Sequence, residues 1–333
     1  MEQEEERPVR GIGLLSGGLD SMLAARVLVD QEVDVIGITF RTPFFGSEGG
    51  ERSARTLGIR HIVLDITEDH LKMVKDPAHG YGKNMNPCID CHAMMFQKAG
   101  DLLEDLQVDF LFSGEVLGQR PMSQNLGALR TVGKISGHEG LILRPLSALL
   151  LPETDVEISG LVDRTRLLGI QGRSRKIQME LADRYGIEEY QSPGGGCLLT
   201  DPGFSVRLRE LLKHNPDADS LDMERLKVGR HFRTPSGSKI VVGRHHADNE
   251  ILVGLVGSGD FSLKVNDYPG PLALVEGSAT DEDLELAASI TARYSKAVKH
   301  DQVKVTVRGP GDSDETITVA PADDNTVEGY RIA

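Results

Sequence analysis

The chain has 333 residues, 39% of them hydrophobic and 26% charged, with a formal net charge of −14. That length fits two or three domains, and the charge excludes a surface that attracts nucleic acid everywhere, though not a local basic groove. No apolar run reaches the roughly 20 residues that span a bilayer, and the acidic opening MEQEEERPVR lacks the apolar core of a secretory signal. The expectation is a short disordered tail over residues 1–9, a cytoplasmic location and no membrane partner.

From Arg10 onward the apolar runs GIGLL, DVIGITF and HIVLDIT are short and rich in Ile, Val and Leu, as buried strands are. SMLAARVLVDQ and SARTLG carry helical spacing between them, and a fourth run, VDFLFSGEV, follows a helix predicted to start near Cys91. Strand and helix in alternation predict an α/β domain with a doubly wound parallel sheet. In such sheets ligands lie beyond the C-terminal ends of the strands, where SGGLDS (16–21) and GEVLGQ (114–119) both fall.

Residues 153–191 read as mostly helical, through PETDVEISGLVDR and SRKIQMELADRYG, before the glycine-rich loop QSPGGGCLLTDP around Cys197. The helix GFSVRLRELLKH closes the first domain, assigned to residues 10–215. Residues 216–333 change texture. HFRTPSGSKIVVG reads as a hairpin, QVKVTVRG and ETITVAP as strands, and DEDLELAASITARYSKAVKH as an amphipathic helix with acids first and bases last. A second, smaller α+β domain is expected there.

The adjacent glycines of SGGLDS clear side chains from a tight turn, so that N–H groups converge on an anion at a helix N-terminus. The loop has no lysine of a Walker A sequence and is not GxGxxG. Backbone groups of Gly17, Gly18 and Leu19 and the hydroxyls of Ser16 and Ser21 are candidate phosphate ligands; Asp20 cannot face phosphate without a cation and is a candidate Mg²⁺ ligand. NPCIDCH (86–92) places Cys88 and Cys91 as a C-x-x-C pair at a loop-to-helix junction, and Cys197 is the third cysteine. Three cysteines do not make a disulfide framework. A structural zinc would need a fourth ligand, with His92 the candidate; three thiolates with an open position suit a 4Fe–4S cluster; unmodified buried thiols are the remaining reading.

SGGLDS resembles the SGG-x-DS signature of PP-loop ATP pyrophosphatases, which cleave ATP to AMP and pyrophosphate. SGEVLGQRPMSQNL and ILRPLSAL resemble the core of ThiI-type 4-thiouridine synthetases, and NPCIDCH is similar to the NPC region of 2-thiouridylases. The resemblance covers roughly residues 10–205. It implies ATP and Mg²⁺ as cofactors, an adenine site at Thr39 and Phe40, nucleotide contacts from Gly114 and Gln119, catalytic roles for Asp20, Cys88, Cys91 and Cys197, and tRNA as the partner. It also implies adenylation of a uridine carbonyl oxygen followed by its replacement with sulfur, supplied as sulfide or by a persulfide carrier. In cluster-dependent relatives three cysteines hold 4Fe–4S, and Cys88, Cys91 and Cys197 match in number. The tRNA-docking THUMP domain and the rhodanese domain of these enzymes have no counterpart in the sequence, so docking is expected from the C-terminal domain.

GRHFRTPSGSKIVVGR and LKVNDYPGPLALV look similar to the NFACT-R RNA-binding module. Arg225, Lys227, Arg230, Arg233, Lys239 and Arg244, with His231, His245 and His246 among them, form a candidate phosphate-binding cluster. Arg173, Arg175 and Lys176 form a second one at a helix start, where bases oppose the dipole. A small-molecule sulfur transferase that adenylates a carboxylate is the rival enzyme; an amide-forming PP-loop ligase and a non-enzymatic RNA-binding protein are weaker rivals. The target atom, the sulfur donor and the oligomeric state, a homodimer among the candidates, stay open.

Overall fold

Strand β1 (Arg10–Leu14) has glycine at alternate positions because aromatic rings of the neighbouring strand need the space. A Cβ on Gly11 would lie 2.8 Å from Phe110 Cζ, and one on Gly13 would run into the ring of Phe112. The computed structural model describes residues 7–191, 196–311 and 313–332. The chain divides into two compact units, Met1–Thr200 and Asp201–Ala333.

The first unit holds β1, β2 (Asp34–Arg41), β3 (Arg60–Asp65), β4 (Phe110–Ser113) and β5 (Ile142–Leu143) in one parallel sheet of order β3-β2-β1-β4-β5. Its helices are α1 (Leu19–Val29), α2 (Glu48–Leu57), α3 (Thr67–Lys75), α4 (Cys88–Gly100), α5 (Leu126–Ser136), α6 (Asp155–Ile158) and α7 (Lys176–Tyr185). Alternation along the strands sends Val35, Phe110 and Phe112 to one core and Ile12, Ile36, Ile38 and Leu111 to another, so both faces are covered. The doubly wound sheet expected from the sequence is present, with β5 as a fifth strand that the sequence reading did not assign. Because β1 continues to β2 on one side and borders β4 on the other, the strand order reverses at β1/β4, which opens a crevice at their C-terminal ends.

The long helical reading of 153–191 shrinks to α6 and α7. Gly160 adopts φ +74° directly after α6, a left-handed conformation that stops a helix. The Thr154–Glu157 capping box and the ion pair of Arg164 with Glu157 hold the short helix in place.

The second unit contains α8 (Pro202–His214), α9 (Ser220–Arg225), β6 (Arg230–Arg233), β7 (Lys239–Val242), α10 (His246–Gly254), β8 (Phe261–Val265), β9 (Leu272–Val275), α11 (Asp281–Arg293), β10 (Val303–Arg308), β11 (Asp314–Val319) and α12 (Asp324–Tyr330). Its six strands form an antiparallel sheet of order β11-β10-β8-β9-β7-β6. The division falls at 200/201 rather than at 215/216, because α8 packs within this unit. Arg233 forks onto Glu210 of α8 at 2.7 and 3.0 Å, and Arg207 of α8 donates to Leu226 O at 3.0 Å. The predicted helix over 281–300 ends at Arg293, where Ser295 donates to Ala292 O and receives Ala297 N.

The PSGS turn of the β6–β7 hairpin is pinned to α11. Asp283, 3% exposed, accepts from the hydroxyls of Ser236 and Ser238 and from Thr280 N. Burial raises its pKa, but these hydrogen bonds outweigh burial and hold the carboxyl well below its ordinary value. The stabilisation is therefore complete above the usual carboxylate range and is lost as pH falls through it. Asp283→Ala should cost about 1.5–3 kcal/mol in urea unfolding at neutral pH, and the gap from the native chain should narrow below about pH 4.

Candidate active site

The SGGLDS loop joins β1 to α1. Gly17 has φ +86°, and a Cβ there would stand 2.7 Å from the backbone of Gly49. A second glycine pair, Gly49–Gly50 at the start of α2, is thus the counterpart of the first; the sequence signal was the GG of GSEGGE. Gly114, after β4, is glycine for the same reason, since a side chain would strike the Asp20–Ser21 backbone. Gly18 caps α1 in extended conformation, and the first-turn N–H groups of Leu19, Asp20 and Ser21 have no acceptor within the helix.

Side chains around the loop are largely committed to each other. Ser21 donates to Gly18 O at 2.8 Å, and exposed Ser16 receives Gly18 N at 3.4 Å. Thr39 donates to Leu15 O at 2.6 Å and lies 2.8 Å from His61 Nε2, so its hydroxyl ties β2 to the loop. Phe40 is buried at the end of β2. Gln119 donates to Asp20 Oδ2 at 2.8 Å and receives Gln178 at 3.2 Å. Asp20 Oδ1 is buried without a hydrogen-bond partner, 3.9 Å from Arg175. Unpaired buried atoms on Gln124, Arg175 and Gln178 accompany it.

All of the expected nucleotide residues except Gly17 line one cavity of about 450 Å³, and Cys88, Cys91 and Cys197 line it too. Cys88 opens α4, three residues before Cys91, so the two share a helix face. Asn86 donates to Cys88 Sγ and His70 Nε2 meets Cys91 Sγ, each at 3.3 Å. The Cys197 segment is held by Leu198 N on Phe44 O at 2.9 Å and by Asn84 on Thr200 O at 2.5 Å. Each cysteine keeps some exposed surface, yet two of the sulfurs are desolvated. Burial pushes the Cys91 thiol far up, with the charges of Cys197 and Cys88 adding to it. Burial raises Cys197 to about 11 against the pull of the Leu199 N–H and Arg120. Burial also lowers His70 to about 4, leaving it a neutral imidazole between Phe44 and Phe45. Among the described residues, no three His, Cys, Asp or Glu side chains stand in metal-ligand geometry. The donor set of three thiols on one cavity suits a soft metal centre chemically, but it is not drawn together as ligands.

His92, considered above as a fourth ligand, is engaged elsewhere: its Nδ1 lies 2.8 Å from Glu115 Oε1. Glu115, 5% exposed, also receives Arg144 Nε at 3.0 Å and Ser113 at 3.1 Å. Burial raises its pKa, but the Arg144 charge and the His92 hydrogen bond overcome this and hold it at about 2. Neither Glu115 nor Arg144 stands out within its motif in the sequence, because only the fold joins them.

The RNA candidates separate sharply. Arg175 turns into the cavity toward Asp20, whereas Arg173 and Lys176 are exposed. In the second unit Lys239 is 1% exposed, and burial lowers it to about 8 despite the nearby charges of Glu276 and Glu210. Arg225 is equally interior, paired with Asp260 and bonded to Leu255 O. Arg233 is forked on Glu210, Arg244 on Asp248, and Lys227 pairs with Glu224. Arg230 stacks 4.3 Å over the Tyr294 ring and donates to Gly243 O. His231 is buried, and desolvation keeps it neutral; His245 caps α10, and exposed His246 faces Glu250. The expected phosphate-binding cluster is therefore mostly a structural charge network, and Lys239 and Arg225 are not available to a ligand.

Residues 8–150 match the family model of the thiamine biosynthesis protein (ThiI). The first unit is a PP-loop domain. Residues 229–331 match the NFACT protein RNA binding domain, so the second unit is NFACT-R-like. The chain is 25% identical over 171 residues to a tRNA-specific 2-thiouridylase MnmA 1 of Fusobacterium nucleatum, covering 50% of this chain and 47% of that one. It is 33% identical over 127 residues to a tRNA-specific 2-thiouridylase MnmA of Bartonella quintana, covering 32% and 31%. The match thus spans half or less of these relatives. A solved structure, titled a predicted subunit of tRNA methyltransferase from Methanocaldococcus jannaschii, is 16% identical with a TM-score of 0.35, covering 53% of this chain and 76% of that one.

Arg144→Met should strand the Glu115 charge in the PP-loop domain and destabilise it by about 3–5 kcal/mol, read by denaturant unfolding. Because the Glu115 pKa is depressed to about 2, its contribution is complete above its ordinary value and fades as pH falls toward 2. Glu115→Gln should accordingly show a flatter loss of stability on the acid side.

Proposed function

We propose that the protein is an ATP-dependent tRNA sulfurtransferase that thiolates uridine. The observation that supports this most is the meeting of the PP-loop and all three cysteines on one cavity. An anion site and a sulfur site there serve a reaction in which one carbon loses oxygen and gains sulfur. The uridine carbonyl oxygen attacks the α-phosphorus of ATP, the α–β phosphoanhydride bond breaks, and pyrophosphate leaves toward the loop N–H groups. Hydrosulfide then adds to the activated carbon and AMP departs with the former carbonyl oxygen. No oxidant is required.

Asp20 Oδ1 is the free oxygen for Mg²⁺, with Oδ2 held by Gln119. Arg175 stands where it can exchange Asp20 for phosphate oxygens. Gly114 and Gln119 line the cavity beside Asp20, and Thr39 and Phe40 line the part proposed for adenine. The thiolates of Cys88, Cys91 and Cys197 would hold a 4Fe–4S cluster, which supplies an open iron site for hydrosulfide. The GEVLGQ stretch favours 4-thiouridine as the product, while the named relatives are 2-thiouridylases.

Product analysis should give AMP and pyrophosphate, and ADP with orthophosphate would reject the assignment. Asp20→Ala should lower turnover by about 10²-fold or more with the fold intact. After anaerobic preparation, single Ser substitutions at Cys88, Cys91 and Cys197 should each lose iron. Iron-free native protein with one dominant cysteine would instead establish persulfide chemistry. Chromatography of tRNA nucleosides, supported by their absorption spectra, separates 4-thiouridine from its equal-mass 2-thio isomer.

A further inference from the structure

The hairpin cations of the second unit are buried, ion-paired or, at Arg230, stacked on Tyr294. Apart from Arg209 and Lys213 on α8, the exposed cations of the unit that make no ion pair with a described residue lie elsewhere. Lys264, Lys296, Lys299 and Lys304 are exposed, and none makes an ion pair with a described residue; nearby Arg293 and Arg308 are neutralised by Asp324 and Asp314. Strand β10 alternates buried Val303, Val305 and Val307 with outward Lys304 and Thr306, and Thr306 is the register partner of Lys264 on β8. Lys264 and Lys304 are therefore diagonal neighbours on one face of the sheet. Exposed Thr318 sits opposite Lys304 on β11 and continues that face as hydroxyl.

The two loops at one end of this face are joined by Lys296 N on Pro269 O at 2.8 Å. They bring Tyr268, 39% exposed, onto the ring of His300 with centroids 4.8 Å apart. Lys296 and Lys299 share a loop with His300, and Lys264 and Lys304 lie on the strands that these loops adjoin, against Asp267 and Asp301 in the same loops. In a chain of net charge −14, such a patch is complementary to a polyanion with planar bases. Lysines take phosphates without reading sequence, and an exposed aromatic ring takes an unstacked base.

We propose that this face, Lys264, Lys304, Lys296 and Lys299 around Tyr268, is the tRNA-docking surface of the second unit, in place of the β6–β7 hairpin. The assignment rests on the reading of tRNA as substrate.

The test is tRNA binding by the full chain, titrated across salt concentrations. Lys264→Ala/Lys304→Ala should weaken binding about 10-fold or more near physiological salt and flatten the dependence of log Kd on log salt by between one and two units. Tyr268→Ala should weaken binding by about 10-fold with the salt slope unchanged, a difference that general unfolding would not produce. Arg244→Ala, on the hairpin side, should bind as the native chain does. Equal thermal melting is expected of the lysine and tyrosine variants, and Arg244→Ala, which leaves the buried Asp248 without its arginine, is compared at a temperature where it is fully folded. Native affinity and slope in the lysine and tyrosine variants, with loss in Arg244→Ala, would overturn the proposed surface while leaving tRNA as substrate. If the native chain itself binds no tRNA, the substrate reading fails and the surface falls with it.

Discussion

Three backbone segments meet at the PP-loop with no side chain between them, and the cavity depends on that contact. Gly17 presses on Gly49, Gly50 fits beneath Leu15 O and Thr39, and Gly114 lies against the Asp20–Ser21 peptide. A methyl group at any of these positions forces apart β1, α2 or the rim after β4, and at Gly17 it also imposes a left-handed conformation that side chains resist. The contact propagates outward. Gln191 N reaches Gly17 O at 2.9 Å, and the Thr39 hydroxyl fastens the loop to β2. The loop and the three cysteines line one cavity because the backbone is this close.

Charge inside the cavity is arranged by desolvation as much as by pairing. Glu115 stays ionised in the interior only because Arg144 and His92 both face it. Cys91 and Cys197 have no comparable partner, and burial keeps them as thiols. A buried thiol is a poor nucleophile and a poor ligand until a cation enters its surroundings. The unpaired atoms on Asp20, Gln124, Arg175 and Gln178 carry a related cost, since buried polar groups without partners are destabilising. Such a concentration of them beside the glycine loop is what a site that receives charged ligands should show.

Much of this was legible in the sequence where the cause is local. Apolar runs of strand length, the paired glycines of SGGLDS and the three-residue spacing of Cys88 and Cys91 each act within a few residues, and each is found where expected. What was not legible depends on partners distant in sequence. Arg233 and Lys239 read as surface cations until the fold brings Glu210 and Glu276 to them, and Arg225 until it brings Asp260. Arg175 read as an outward base because its helix start is exposed, yet its side chain points to Asp20, 155 residues earlier. The domain boundary moved for the same reason, as α8 is bound by residues that follow it.

If the chain thiolates a uridine of tRNA as proposed, its two units would divide the problem of recognising it. Lysine–phosphate contacts and stacking on a surface tyrosine are indifferent to base identity, so the proposed surface of the second unit would supply affinity and not selectivity. Selectivity would then come from the PP-loop domain, where the walls of a cavity of about 450 Å³ carry both the SGGLDS loop and the three cysteines. A base stacked within a helix cannot present its carbonyl carbon to both at once. The uridine has to leave the stack to react, and nucleotides already unpaired in the folded RNA do so at least cost. Under this division the shape of the tRNA chooses the nucleotide, and the cavity accepts it only if a carbonyl oxygen can face the loop while its carbon faces sulfur.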